Sequence, residues 1–553
     1  MTPSKRTTSK GKSRKTSGDG HLPEWFDQSV LYVIDVSAFR DGNGDGIGDL
    51  QGVIDAMDYL VDLGVDAIWL LPFNPSPRQD NGFDVADHFG VDPRFGTLDD
   101  FRRLIAEAKQ RGIRVFMDLV VNHTSDQHPW FRAALENPDS PYRHHYVWRD
   151  NLDGLPKLEP VFPGFEESVW QYVPDLEQWY LHHFYRFEPD LNHNHPDVQE
   201  EIRRIVGYWL GLGVDGFRLD AAPFLGEDLS GNTPDPHAIL KAIRGWVADL
   251  NPDACLLAEA DLPAADLPSY FGDDGDEVHA LYDFLLNRRM FLALAQDTAE
   301  PLYKSLRECP PARPGTGWVT FIRHHDELSL SFLDKAEAAQ IFDRFAPEPS
   351  MQVYERGIRR RLAPLMDNDP RLLKLLFSCQ FSLPGVPMIT YGDEIGLGEN
   401  LTLPERAAVR TTMRWDTPGA GPTTMLLPGI VSRDADPIPV DPSPAMDGGA
   451  EFRDWVRDLI AFRRELLAGC RDTFELVEGE NPRLLVHRYH DDDGCIVCVH
   501  NFASQPQVVD LQGTGESAKV LLTSDGDNDV PASLETMEIE GHGFRWLRTA
   551  RPE

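Results

Sequence analysis

Residues 213–222, GVDGFRLDAA, decide how this chain reads. They form a short apolar run that ends in Arg218, Leu219 and Asp220. Alternation sets Phe217 and Leu219 on one face of a strand, and Arg218 and Asp220 on the other. In a closed parallel barrel one face of each strand points inward, and chemistry collects at the C-terminal ends of the strands. An arginine two residues before an aspartate places a fixed positive charge beside a carboxylate, which suits a nucleophile. A structural ion pair at a strand end has the same sequence, so the surrounding chain must decide.

Outward from that stretch, apolar strand patterns alternate with amphipathic helix patterns. Strand patterns lie at residues 29–39, 64–73, 114–123, 213–222, 254–260, 277–284, 318–326 and 385–396, the sixth being the weakest. Helix patterns lie at 50–64, 98–112, 197–213, 237–250 and 369–383. The economical α/β fold is a (β/α)8 TIM barrel built from residues 23–124 and 186–468. Residues 125–185 are too many for an ordinary βα connection and rich in Pro, Tyr, Trp and His, so they read as a small inserted domain over the active face. From residue 469 to 553 helix patterns give way to short apolar runs, which predict a C-terminal all-β domain, a β-sandwich. Residues 1–22 are polar and basic, and read as a disordered tail rather than a signal peptide or membrane span.

Composition narrows the function. A net charge of −37 disfavours nucleic acid and anionic membranes as partners, and leaves a small neutral or cationic ligand. The six cysteines are scattered, and the Cys495–Cys498 pair lacks a second pair of metal ligands. With no export signal and no disulfide framework, the expected location is the cytoplasm. No Gly-rich phosphate loop follows a strand, which leaves nucleotide chemistry without support.

The chemistry-bearing residues fall at strand ends. The third strand pattern ends in Asn122-His123, the fourth in Arg218 and Asp220, the fifth in Glu259 and the seventh in His325-Asp326. A barrel brings all of these to one rim. Two carboxylates in different settings, Asp220 beside Arg218 and Glu259 after an apolar run, fit double displacement at a sugar, one attacking and one protonating the leaving oxygen. Near the first strand, DGNGDGIGD at 41–49 presents Asp41, Asn43, Asp45, Asp49 and the Ile47 carbonyl, an oxygen set that suits calcium. A Gly-rich turn without metal is the alternative.

DLVVNH at 118–123, GFRLDA at 216–221, Glu259 in LLAEA and HHD at 324–326 resemble the four main signatures of glycoside hydrolase family 13, the α-amylase family. PDLN at 189–192 resembles its fifth, and the likeness spans roughly residues 25–550. The resemblance implies an enzyme on small α-glucosides, with Asp220 as nucleophile, Glu259 as general acid/base and Asp326 as a third carboxylate gripping the sugar hydroxyls. It implies His123 and His325 as sugar-binding residues and Arg218 as the group that orients the nucleophile. DNGFD at 80–84 and RTTMRW at 410–415 resemble motifs of exo-acting members. There an Asp and an Arg pair across the end of the first subsite, which implies an Asp80–Arg410 clamp here. Phe83 stands where those members stack a Tyr on the sugar. DAAPFLGE at 220–227 implies a second calcium site, from Asn122, Glu227 and the backbone of Phe224 and Leu225.

Runs such as NGDGIGDLQG, NPDSPYRHHYVW and RHHDELSL resemble the trehalose synthases of that family, which interconvert maltose and trehalose. Departures lie in or near the sugar pocket: His324 for the usual Asn, Phe83 for Tyr, Thr412 and Arg414 for Pro and Gln, and an atypical Pro-rich segment at 422–449. The resemblance implies a maltose–trehalose isomerase working through a covalent glucosyl–Asp220 intermediate, with an exo-acting α-glucosidase or α-amylase-type hydrolase of short α-glucosides as the alternative that these departures keep in view. A non-catalytic binding protein on the same fold is opposed by the complete set of Asp220, Glu259 and Asp326.

Overall fold

A computed structural model describes residues 22–227, 237–416, 419–425, 438–439, 445–467, 470, 473–477, 479, 481–491, 494–509, 518–524 and 537–550. The expected tail lies outside the described residues except for Leu22, as does most of the segment 422–449.

Eight parallel strands close a barrel: β1 Leu31–Ile34, β2 Ala67–Leu70, β3 Arg114–Leu119, β4 Gly216–Leu219, β5 Cys255–Ala258, β6 Ala280–Tyr282, β7 Gly317–Phe321 and β8 Val386–Thr390. They neighbour one another in chain order, and β8 pairs with β1 to close the ring. Trp69, Phe116, Leu257, Tyr282, Phe321 and Met388 fill the interior, while Phe217 and Leu219 belong to the outer layer between strands and helices. The alternation at 217–220 therefore turns Arg218 inward, its guanidinium 5.4 Å from the Trp69 ring centre.

Local chemistry sets the element ends. Helix Pro196–Leu212 stops at Gly213, whose φ of 105° is a left-handed cap that glycine adopts without a Cβ clash, and the chain turns directly into β4. The first strand pattern runs beyond its strand: Asp35 accepts the Ser37 N–H at 3.0 Å and winds Val36–Phe39 into one buried helical turn. That turn is apolar because it is buried, so the sequence does not separate it from the strand. The 50–64 pattern divides into helices Leu50–Asp55 and Met57–Leu63.

Two excursions rise above the C-terminal end of the barrel. After β3, strands Trp148–Arg149, Gln178–Leu181 and Trp170–Val173 form an antiparallel sheet over a small core of Val147, Val169, Trp170 and Leu181. After β7, helix Lys335–Phe345 and a sheet of Leu328–Ser329, Gly357–Ile358 and Gln352–Val353 form a second one, which the strand and helix patterns did not anticipate. The C-terminal region is all β. A five-stranded antiparallel sheet runs in the order Glu475–Val477, Leu484–Asp491, Gly494–Asn501, Phe544–Ala550, Ala518–Thr523, beside the pair Gln507–Val509 and Met537–Ile539. It docks on helix Pro370–Ser382, where His500 Nε2 and Trp546 Nε1 both lie 2.9 Å from Ser378 Oγ. None of the six cysteines takes part in a disulfide. Among the described residues no helix is long and apolar enough to cross a membrane.

Candidate active site

The strand-end motifs meet in one cavity of about 730 Å³, lined by Asp80, Phe83, His123, Asp220, Glu259 and Asp326 among others. Arg218 is its hub. Nη1 donates to Asp118 Oδ1 at 2.8 Å and to Asp220 Oδ1, and Nη2 donates to Glu259 Oε2 at 2.5 Å. One fully buried guanidinium thus holds the carboxylates of β3, β4 and β5 in fixed relation. Directly after Asp220 the chain takes a left-handed turn at Ala221, φ 53°, a strained conformation for a residue with a Cβ and common at active sites.

The two carboxylates facing the cavity differ electrostatically. Burial pushes Glu259 up to about 8, against the pull of Arg218, and the charges of Asp220 and Asp326 add to the rise. A carboxyl raised this far keeps its proton at neutral pH and can donate it. Burial would also raise Asp326, but His325, Arg406 and Arg410 hold it well below the usual carboxylate range. His325 Nε2 lies 2.9 Å from Asp326 Oδ2, and its ring stacks on Phe83 with centres 5.7 Å apart. On β3's far side, His123 Nε2 stands 3.8 Å from Glu188 Oε1, a fully buried residue that sequence reasoning did not single out.

The expected clamp has a different arginine. Asp80 pairs with Arg406, Nη2 to Oδ1 at 2.5 Å, while Arg410 turns to Asp326 at 2.6 Å and to the His325 carbonyl at 3.0 Å. Arg406 also reaches Asp326 Oδ1 at 2.9 Å, and its guanidinium lies 4.8 Å from the ring centre of Phe162 in the excursion after β3. Arg406 belongs to the short 3-10 turn Glu405–Ala408, one helical turn ahead of Arg410, so a motif that names one arginine cannot say which of the two reaches Asp80. Beside it, Tyr185 and Tyr354 both donate to Glu405 Oε2, tying the two excursions to that turn.

His324 sits where the family resemblance has an amide. Its Nδ1 accepts the Asp326 N–H at 2.8 Å, and its ring packs against Phe284 and Phe321. Burial holds it well below the ordinary imidazole range, so the ring acts as a neutral acceptor.

Three groups bear on metal binding. His324, His325 and Asp326 bring ligand atoms within 4.8 Å of one another, a spacing that could hold an ion. The guanidiniums of Arg406 and Arg410 on Asp326 oppose a cation there. In the 41–49 loop, Asp41 accepts the Gly44 and Gly46 amides, Asn43 the Asp45 amide and Asp45 the Ile47 amide. Gly44 and Gly46, at φ 84° and 93°, let the chain turn tightly through the loop. Asp49 caps helix Leu50–Asp55 through Gly52 at 2.6 Å. None of Asp41, Asp45 and Asp49 meets a Lys or Arg among the described residues, so the donor set suits a hard cation.

At the second expected site, Asn122 Oδ1 is buried with no hydrogen-bond partner among the described residues, and Asn122 Nδ2 is 3.3 Å from Asp190 Oδ1. Glu227 and Phe224 are nearby, but His183 stands among them. It bonds to Asp190 through Nδ1, its Nε2 is 3.4 Å from Glu227 Oε2, and its ring centre is 4.9 Å from that of Phe224. Burial opposes its charge, yet Asp190 and Glu227 hold it up to about 9.

Residues 34–342 match the family described as alpha amylase, catalytic domain, and residues 494–548 match the sucrose hydrolase-like C-terminal domain. The trehalose synthase/amylase TreS of Mycolicibacterium smegmatis is 38% identical over 96% of this chain and 93% of its own length. Its counterpart in Mycobacterium tuberculosis is 39% identical over 96% and 91%. Among solved structures, an inactive double mutant of MutB in complex with isomaltulose superposes with a TM-score of 0.74 at 25% identity, covering 95% of this chain and 99% of that one.

Proposed function

The chain belongs to the α-amylase family and is an enzyme of α-glucosidic bonds, and on that premise we propose that it interconverts maltose and trehalose by glucosyl transfer within one closed pocket. The observation that carries the proposal is the bridge of Arg406 between Asp80 and Asp326 at one end of the cavity. Such a wall admits one terminal glucose and stops a longer chain from threading through. The near full-length likeness to trehalose synthases supports the same choice.

In this reading Asp220 attacks the anomeric carbon as the glycosidic C–O bond breaks, and Glu259 gives its proton to the departing oxygen. Both carboxylates are bonded to one guanidinium, which favours the short separation of about 5–5.5 Å used in double displacement over the wider gap that leaves room for water. The freed glucose turns in place, and its anomeric hydroxyl attacks the glucosyl–Asp220 ester while Glu259 takes the proton back. Asp326, His123 and His325 hold the transferred glucose, and Phe83 faces its apolar side. Retention of the freed sugar gives it an effective concentration far above that of bulk water as competitor. The excursion after β3, tied down through Tyr185 and Phe162, is the lid.

Calcium would be held by Asp41, Asn43, Asp45, Asp49 and the Ile47 carbonyl, where it would neutralise the loop that leads into helix Leu50–Asp55. A second ion at Asn122, Glu227 and the Phe224 and Leu225 carbonyls would have to displace His183. The alternative reading, hydrolysis of short α-glucosides, uses the same carboxylates with water as acceptor, and Phe83, which lacks the tyrosine hydroxyl, favours it. Separate incubations with maltose and with trehalose distinguish the two: each disaccharide yields the other under the proposal, and glucose as the sole product leaves the hydrolase.

A further inference from the structure

A row of cross-strand neighbours crosses the C-terminal sheet: His490 pairs with Cys495, Cys495 with Thr549, and Thr549 with Ala518. Paired residues of an antiparallel sheet share a face, so their side chains stand side by side. In that row His490 Nδ1 lies 3.1 Å from Cys495 Sγ, and His490 Nε2 lies 3.1 Å from Glu475 Oε2. Arg488 donates to both oxygens of Glu475, at 2.8 and 2.9 Å, and with His490 holds that carboxyl down to about 2. The ionised Glu475 accepts the Nε2–H, which leaves Nδ1 as the acceptor that faces the thiol. Thr473 fixes the backbone of the histidine: its Oγ1 accepts the His490 N–H at 2.7 Å and donates to the His490 carbonyl at 2.8 Å. On the other side of the thiol Thr549 is fully buried, and its Oγ1 has no hydrogen-bond partner among the described residues.

The other thiols are placed differently. Burial pushes Cys255, Cys379 and Cys498 up, and burial with the Asp283 carboxylate 3.8 Å away does the same to Cys309. Cys470 donates to the Leu466 carbonyl at 3.4 Å. Cys498, three residues beyond Cys495 in the same strand, packs in the opposite layer, so the C-x-x-C does not bring its two thiols together. Cys495 keeps 5% of its surface open beside a half-exposed His490, an opening that suits a molecule of a few atoms. A thiol acts as a nucleophile through its thiolate, and an adjacent imidazole supplies it. We propose that Cys495, with His490 as its base and Glu475 orienting that base, is a modification site for hydrogen peroxide and small hydroperoxides. The thiol proton passes to His490 Nδ1, and the sulfur attacks one peroxide oxygen as the O–O bond breaks. The departing oxygen takes the proton from His490 and leaves as water, so sulfur is oxidised by two electrons to a sulfenic acid and the peroxide is reduced. Thr549 Oγ1 is the donor in place for the new oxygen. None of these residues lines the catalytic cavity, so the inference does not depend on the sugar chemistry.

The test uses the whole chain. Protein is exposed to a small excess of hydrogen peroxide for set times, quenched with catalase and unfolded in dimedone, which labels sulfenic acids. Mass spectrometry then follows the peptide of each cysteine. Cys495 is expected to label first. His490→Gln should slow its labelling about 10–100-fold, the lower span of a positioned general base, while Cys309 keeps its rate and so reports an intact fold. His490→Asn serves in the same role if the glutamine variant fails to fold. Glu475→Gln should slow Cys495 by less, and Cys495→Ser should remove the fast phase of peroxide consumption. Another cysteine labelling first, no labelling at all, or an unchanged Cys495 rate in a folded His490 variant would overturn the site.

Discussion

Arg406 joins Asp80 to Asp326: its two terminal nitrogens reach a carboxylate oxygen of each, at 2.5 and 2.9 Å, in a setting where all three side chains are buried. A lysine keeps the charge but cannot bridge two carboxylates with a planar fork. Arg406→Lys is therefore expected to lower kcat/KM for maltose about 10–100-fold, mainly through KM. Arg406→Met should also destabilise the fold by about 3–5 kcal/mol, since it strips a buried carboxylate of its partner. Wild-type kinetics in Arg406→Lys would remove the closed-end argument.

The alkaline limb of activity should belong to Glu259. In the proposed mechanism the protonated form donates to the leaving oxygen, and burial pushes the group up to about 8, so kcat/KM is expected to hold below that pH and fall as pH rises through it. Glu259→Gln should abolish the limb and slow substrates with poor leaving groups most. An unchanged alkaline limb in that variant assigns the acid to another residue.

His324 should add no limb of its own. Its Nδ1 accepts the Asp326 N–H, and burial holds the ring neutral, so the charged form is absent from the range where histidines ordinarily titrate, near pH 6.5. His324→Asn is expected to leave the pH profile unchanged in shape. A limb near pH 6 that vanishes in His324→Asn would show that the ring does titrate.

The barrel was legible in the sequence because periodicity reports burial, and each of the eight strands has an apolar run. Boundaries were less so: Val36–Phe39 is as buried as β1, and only the Asp35 cap separates them. Asp220, Glu259, Asp326 and His123 come together at the cavity because strand ends converge in any closed parallel barrel, and Phe83 joins them from the loop after β2. Arg406 was not legible. It stands in a turn without strand or helix periodicity, and its partner Asp80 is 326 positions away, so only the fold pairs them. His183 among Asn122, Asp190 and Glu227 was hidden for the same reason.

Metal content follows from the two acidic clusters. Elemental analysis of purified protein is expected to find about one calcium per chain, held by the 41–49 loop, and Asp45→Asn should lower both the calcium and the Tm. His183→Asn should raise the stoichiometry toward two, by removing the cation that lies between Asp190 and Glu227. Metal-free protein whose Tm is indifferent to chelator would refute calcium at the loop.

The most direct measurement of the central claim is incubation of maltose with isotopically labelled free glucose, followed by separation of trehalose and glucose. If the freed glucose stays within the pocket until it attacks the Asp220 ester, trehalose forms and carries little label. Fully labelled trehalose would mean that the leaving sugar escapes and returns from solution, and glucose without trehalose would mean that water is the acceptor; either contradicts transfer within a closed site.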